Sequence, residues 1–269
     1  MTALSILKLI PHPGKIIKGN ILFHNNDLVN LSEKEMLSIR GRKISMIFQE
    51  PMTSLNPVFT IGYQIEEMFL YHTNLSKNEM QGKVIELLEK VKIKNPEKVY
   101  TFYPHQLSGG MRQRVMIAMA IALHPDLIIA DEPTTALDVT VQAEILKLLI
   151  NLKDEFNISI LFITHDFGVI SEIADRVYVM YAGEIVESGV KKDIFNNPLH
   201  PYTKALFEAI PGYKGNFETL KSIEGTVPDL YTIPEKCIFY DRCEKKKEEC
   251  LKVIPLIEKE KNHFVRCIL

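Results

Sequence analysis

The sequence predicts an α/β fold with a largely parallel sheet, followed by a small loop-rich extension. Three short apolar runs, at 43–48, 127–130 and 159–164, have the length of buried strands. The segments between them carry the 3.6-residue period of helices, and strands that alternate with helices pair in parallel. After about residue 190, prolines separate short elements, which is typical of loops.

The first elements are short. Residues 1–10 have a helical pattern that ends at Pro11, and 19–23 read as a short strand followed by a turn. Ser32 opens a helix as a capping box, because a glutamate follows three residues later. The buried strand 43–48 comes next.

Residues 50–105 are predicted to be mostly helical and to form a subdomain, in which Ser76 caps an amphipathic helix. A second amphipathic helix covers 141–156. Residues 176–181 and 184–187 flank an Ala-Gly turn and predict a hairpin. We place a domain boundary between 190 and 191.

Composition excludes several classes of protein. The 269 residues are 46% hydrophobic and 25% charged, which is ordinary for a globular chain. A net charge of −2 gives no footprint for nucleic acid, so no nucleic-acid partner is expected. No apolar run approaches the roughly 20 residues that span a bilayer, and the first ten residues lack the features of a signal peptide. We therefore expect a soluble chain in the cytoplasm.

Polar residues follow each of the three predicted strands. Asp131 and Glu132 end the second strand, Gln49 follows the first, and His165 follows the third. Open α/β sheets bind ligands at this edge, where one acid can hold magnesium and another can polarise a water. Each residue alone is more often an ordinary surface group, so the prediction depends on their common placement.

Ser108, Gly109 and Gly110 stand directly before a predicted helix. A helix start exposes backbone N–H groups at its positive end, and glycine lets an anion approach closely. This pattern alone favours an ordinary capped helix after a loop. The residues around it decide otherwise.

An ordered set of motifs carries a family resemblance. The chain contains FQEPMTSLNP at 48–57, LSGGMRQR at 107–114, LIIADEPTTALD at 127–138 and His165, then HPYTKAL at 200–206 and GTVPDL at 225–230. This set resembles the ATP-binding-cassette (ABC) transporter ATPases, in particular the importers of oligopeptides, dipeptides and nickel. The resemblance implies an ABC-type P-loop NTPase core over 1–190, with its helical subdomain at about 50–105, and an importer-type extension over 191–269.

The resemblance also implies roles for the strand-end residues, with ATP as the nucleotide and Mg²⁺ as the metal. Glu132 would be the general base, and His165 would contact the γ-phosphate. Asp131 and Gln49 would bind magnesium, and Gln49 would also couple to the membrane subunit.

Other implied roles need a second subunit. Ser108, Gly109 and Gly110 would grip the γ-phosphate of ATP held by a homologous ATPase, and Asp138 would lie at the seam between the two. The implied partners are that second ATPase, two membrane permeases and an extracytoplasmic peptide-binding protein. The chain would then lie at the cytoplasmic face of the membrane as a peripheral subunit.

One motif of the family is missing from these residues. The phosphate-binding pattern G-x-x-x-x-G-K-[ST] does not occur, since Leu9 and Lys77 stand where the first glycine of the two Gly-Lys sites belongs. We expect a start assigned too late or a truncated gene, and weak ATP binding by the chain as written. Alternatives are a half-active remnant that completes only a partner's site, and an ABC ATPase without a transport role.

The four cysteines all lie in the C-terminal extension, as Cys237, Cys243, Cys250 and Cys267. Four thiolates suit a 4Fe–4S cluster or a structural zinc, although the spacing matches neither a ferredoxin nor a zinc finger. Unconnected thiols are the third reading. The importer resemblance favours the 4Fe–4S cluster, with zinc as the runner-up.

Overall fold

The computed structural model describes residues 1–50, 54–135, 137–210, 222–229, 231 and 235–269. Small parts of three predicted motifs, at 51–53, 136 and 230, lie outside the described residues. The chain divides into two compact units, residues 1–169 and 170–269. The predicted domain boundary at 190/191 falls within the second unit, because the strand that ends at Val190 pairs with a strand near the C-terminus.

The N-terminal part of the first unit is small and packs on its own apolar cluster. Ser32 forms the predicted capping box with Glu35, which confirms the helix start. Ala3, Leu28 and Met36 are fully buried together with residues of the first two parallel strands. The elements are α1 (Thr2–Ile6), β1 (Leu22–Phe23), β2 (Asn26–Asp27) and α2 (Glu33–Ile39).

The predicted helical segment is confirmed. Ser76 caps its second helix and forms a capping box with Glu79. The helices pack through a continuous apolar core that includes Ile65, Val84 and Leu88. Their bounds are α3 (Ile61–His72), α4 (Lys77–Lys90) and α5 (Pro96–Tyr100), followed by α6 (Gly109–Ile121).

The three predicted strands form one parallel sheet in the order β3-β4-β5. The register pairs Ile47 with Ala130, and Asp131 with Ile163. All three strands therefore end at the same edge. Their bounds are β3 (Ile44–Ile47), β4 (Leu127–Asp131) and β5 (Ser159–Ile163), with α7 (Val139–Phe156) between the last two.

The second unit is built on an antiparallel sheet in the order β6-β7-β9-β8. The predicted hairpin is confirmed, with Gly183 at a φ of 85° in its turn. The elements are β6 (Arg176–Tyr181), β7 (Glu184–Val190), α9 (Lys191–Asn196), α10 (Pro201–Glu208), β8 (Ile257–Glu260) and β9 (His263–Val265). A helix α8 (Phe167–Ile173) lies where the chain passes from one unit to the other. Among the described helices, none has the length and apolar character to cross a bilayer.

Candidate active site

The site lies in the first unit, where the three parallel strands end. Gln49 stands two residues after β3, Glu132 directly after β4, and His165 two residues after β5. Glu132 has a φ of 46°, in the left-handed region, and its N–H donates to the carbonyl of Ile163 at 2.9 Å. This turn ends the strand and directs the chain away from the sheet.

The Glu132 carboxylate joins the three strand ends through direct hydrogen bonds. Its Oε2 accepts from Gln49 Nε2 at 2.8 Å and from the Thr135 hydroxyl at 3.0 Å. Its Oε1 lies 3.0 Å from His165 Nδ1. The structure therefore brings together three predicted residues, Gln49, Glu132 and His165.

These contacts lower the pKa of Glu132. The hydrogen bond with His165 is the largest cause, and those with Thr135 and Gln49 act in the same direction, while partial burial opposes them. The side chain of Glu132 is 22% exposed and that of His165 is 75% exposed. At neutral pH the site thus presents an ionised carboxylate within reach of solvent.

Asp131 is the last residue of β4 and is partly exposed. Its carboxylate and the Gln49 amide supply oxygen atoms at the ends of neighbouring strands, and oxygen is the ligand that Mg²⁺ takes in proteins. The chemistry of this donor pair fits a magnesium ion.

The predicted Ser-Gly-Gly helix start is confirmed. Ser108 is the N-cap of α6, and its hydroxyl accepts the N–H of Met111 at 3.3 Å. A Cβ at Gly110 would lie 2.7 Å from a methyl group of Val141, so any larger residue would force Val141 to move away from α6. Among the described residues, no hydrogen bond joins Ser108, Gly109 or Gly110 to the Glu132 cluster.

Asp138 is the N-cap of α7, where its carboxylate accepts the N–H of Val141 at 3.0 Å. Further along α7, Gln142 donates to Asp166 at 3.2 Å, and Asp166 also accepts the N–H of Gly168 at 2.8 Å. The loop after β5 that carries His165 is thereby tied to α7.

The four cysteines of the extension line one small cavity. Burial raises the pKa values of Cys237 and Cys243, while Cys250 and Cys267 are almost fully buried. All four cysteines therefore border the same space, where the iron–sulfur prediction places the cluster. Within the described part of the chain, however, no group of three or more Cys, His, Asp or Glu side chains is placed to hold a metal ion. This arrangement does not fit a metal centre as it stands.

Sequence reasoning missed two sets of polar contacts. Thr135 was part of a recognised motif, but its hydrogen bond to Glu132 was not foreseen. In the second unit, the fully buried Glu187 carboxylate accepts the N–H of His200 at 2.9 Å and lies 2.7 Å from His263 Nε2. A glutamate that follows the apolar residues Ile185 and Val186 in the predicted hairpin was the only available signal for this buried pair.

An ionised carboxylate that meets an amide and an imidazole at the carboxyl edge of a parallel sheet lies where open α/β folds bind their ligands. Comparison with known proteins narrows this class. The family model for ABC transporters matches residues 2–135, and that for the oligopeptide/dipeptide transporter C-terminal region matches residues 186–250.

Curated relatives resemble the whole chain. It is 49% identical to the oligopeptide transport ATP-binding protein AppD of Bacillus subtilis over 100% of the chain and 83% of the relative. It is 48% identical to the dipeptide transport ATP-binding protein DppD of the same organism, over 100% and 81%. The DppD of Escherichia coli is 46% identical over 93% of the chain and 76% of the relative.

Solved structures resemble the fold. The dimeric ATP-binding cassette MJ0796, bound to ADP and Pi, is 29% identical and superposes with a TM-score of 0.60 over 69% of this chain and 79% of its own. The cbiO1 structure from Clostridium perfringens gives 28% identity and a TM-score of 0.62 over 72% and 73%. The chain belongs to the ATP-binding subunits of the oligopeptide/dipeptide ABC transporters, a class of ATPases with a P-loop NTPase fold.

Proposed function

We propose that this chain drives uptake of oligopeptides or dipeptides across the cytoplasmic membrane by hydrolysing ATP, as a peripheral subunit on the cytoplasmic face. The observation that carries the proposal is the Glu132 carboxylate, bonded to Gln49 and to His165 where three parallel strands end. The names of the relatives support peptides as the transported class.

Glu132 acts as the general base in this proposal. Its lowered pKa keeps it ionised at neutral pH, so it is ready to accept a proton from the attacking water. Thr135 and Gln49 orient the same carboxylate oxygen, which fixes the direction in which the base points. The His165 side chain is 75% exposed and is therefore available to contact the γ-phosphate.

Asp131 and Gln49 would hold Mg²⁺, which the ABC ATPase class uses with ATP. The ion supplies positive charge that offsets the charge of the phosphate oxygens. Gln49 then has two tasks, because its amide nitrogen already donates to Glu132 while its amide oxygen serves the metal.

The Ser108–Gly110 start of α6 serves a second, homologous ATPase subunit in this proposal. Backbone N–H groups at a helix start favour an anion, and no hydrogen bond within the described chain ties them to the chain's own Glu132 cluster. Asp138, which caps α7, is assigned to the seam of that dimer.

A surface of the helical subdomain is proposed to receive one of two permease subunits, with an extracytoplasmic peptide-binding protein completing the importer. Val58 is 69% exposed, and Phe59 and Tyr63 are about 40% exposed with their ring centroids 4.8 Å apart. Contiguous exposed aromatic groups favour a protein partner, and they follow Gln49 closely in the chain.

The test uses the transporter assembled with its permeases, its second ATPase and its binding protein. Glu132→Gln keeps the size of the side chain and one acceptor oxygen but removes the base, so we expect peptide-stimulated ATP hydrolysis to fall by about 10²-fold or more. Glu89→Gln makes the same change at an exposed carboxylate on α4, so it is the matched control and should hydrolyse at the wild-type rate. Equal rates for the two variants would contradict the role of Glu132.

A second candidate is a half-active subunit, in which the helix start at Ser108 serves only the nucleotide of a partner. In that case only the ATP held by the partner is hydrolysed, with Ser108 completing its site. Hydrolysis would then survive Glu132→Gln and vanish in Ser108→Arg. The reverse pattern would support the fully active subunit.

A further inference from the structure

A buried hydrogen bond joins two helices of the helical subdomain. The Tyr100 hydroxyl, on α5, donates to Glu66 Oε1, on α3, at 2.5 Å. The Glu66 residue is only 7% exposed, and Tyr100 is half-buried. A carboxyl in such a place is costly unless it has a donor, so the Tyr100 hydroxyl is its required partner.

Packing around the bond is close. A Cβ at Gly62 would overlap the Tyr100 ring, so glycine lets the ring lie directly on α3. The N–H of Ile61 donates to the carbonyl of Phe102 at 2.8 Å, which adds a backbone link one turn away. Burial and the Glu66 carboxyl raise the pKa of Tyr100 to about 12, so the hydroxyl keeps its proton at every physiological pH.

The same helix α3 holds residues 56–60, a few positions after Gln49 in the chain. The Gln64 side chain accepts the N–H of Asn56 at 2.8 Å and donates to the carbonyls of Asn56 and Phe59 at 3.0 Å each. Gln64 is 3% exposed, so this contact is built into the core. The segment 56–60 therefore moves with α3.

The other end of the link leads to the Ser108 helix start. After Tyr100 the chain passes through Pro104, whose carbonyl accepts Arg112 Nε at 2.7 Å. The side-chain oxygen of Gln106 accepts the N–H of Tyr103 at 2.8 Å. Residues 102–106 are thereby fixed to α6, with only Leu107 between them and Ser108.

We propose that the Tyr100–Glu66 hydrogen bond is a positioning contact, which holds the segment before Ser108 in register with the segment after Gln49. One side of this link carries the exposed Phe59 and Tyr63 surface, and the other carries the helix start that faces a partner's nucleotide. The contact therefore transmits the position of a docked permease to the Ser108–Gly110 group. This consequence for transport rests on the proposed function, whereas the contact itself does not.

Hydrogen exchange of the chain alone tests the contact without ATP or partners. In Tyr100→Phe, the Glu66 carboxyl loses its donor, and we expect the amides of 102–112 to exchange at least about 10-fold faster, a factor equal to roughly 1.4 kcal/mol. Glu66→Leu should show the same faster exchange as Tyr100→Phe. Glu66→Gln keeps an acceptor for the Tyr100 hydroxyl and should retain wild-type exchange, as should the amides of α7 in every variant.

Wild-type exchange at 102–112 in Tyr100→Phe would overturn the proposal, and so would equal effects of Glu66→Gln and Tyr100→Phe. If Glu66→Leu does not fold, the comparison of Tyr100→Phe with Glu66→Gln still tests the proposal.

In the assembled transporter, Tyr100→Phe should lower the peptide-stimulated kcat by about 10-fold and leave the KM for ATP unchanged. Glu66→Gln should work at the wild-type rate. An unchanged kcat in Tyr100→Phe would overturn the transmission role. A wild-type assembly that does not respond to peptide would instead contradict the proposed function, and the exchange result would still decide the contact.

Discussion

Gln113 offers a direct test of how the core of the first unit is stabilised. It lies within α6 and is fully buried, and neither its Nε2 nor its Oε1 has a hydrogen-bond partner within the described chain. A buried polar group without a partner costs about 1–3 kcal/mol. We therefore expect Gln113→Met to raise the free energy of unfolding by about 1–3 kcal/mol.

The surroundings of Gln113 are suited to this exchange. Met116 and Ile117, three and four residues later on the same helix, are buried in one apolar cluster, and Gly110, three residues earlier, lies close to Val141 of α7. Methionine has nearly the size of glutamine, is unbranched, and has a similar helix propensity. The change in stability thus isolates the unpaired amide from differences in volume and backbone preference.

The assay is chemical and thermal unfolding, with the denaturant slope required to stay constant. For a unit of this size, 1–3 kcal/mol corresponds to a rise in Tm of roughly 2–10 °C. Gln81→Met, exposed on α4, is the control and should change stability by less than about 0.5 kcal/mol. A loss of stability in Gln113→Met would refute the reasoning, because it would mean that internal water satisfies the amide.

Three other predictions concern buried groups. Glu187→Leu should destabilise the second unit by about 3–5 kcal/mol in denaturant titration, because His263 and two backbone N–H groups lose a buried acceptor. Glu187→Gln should lower the stability by less, and equal losses in the two variants would contradict this explanation. Burial lowers the pKa of His200 to about 4, so the folded chain holds the neutral form and the unfolded chain takes up a proton first. The contribution of His200 to stability is therefore complete above about pH 6.5 and should fall by about 3 kcal/mol towards pH 4. Unfolding measured at a series of pH values will show this loss, and His200→Asn should reduce it. Gly62→Ala should lower Tm by several degrees because its methyl group overlaps the Tyr100 ring, and an unchanged Tm would show that the ring can move aside.

The strand ends that form the candidate site were predictable because strand signals are local. An apolar run of four to six residues followed by a polar residue marks both the strand and its end, and parallel pairing then brings Gln49, Glu132 and His165 to one edge. Capping boxes at Ser32 and Ser76 were predictable for the same reason, since both partners lie three residues apart.

The C-terminal strands were not predicted, because their residues do not follow the pattern of a half-buried strand. All four residues of β8 are exposed, and β9 has only three residues, so neither shows an alternation long enough to recognise. Pairing of β9 with β7 is also why the second compact unit begins before the predicted boundary at 190/191.

The remaining contacts escaped prediction because their partners are far apart in sequence. Gln49 and Glu132 are separated by 83 residues, Glu66 and Tyr100 by 34, and Glu187 and His263 by 76. Periodicity reports which face of an element is buried, but it does not report which polar group on that face meets another. For the first pair the sheet topology supplies the missing information, because both residues end neighbouring strands. For the other two pairs no predicted sheet brings the two residues together, so only tertiary structure could identify them.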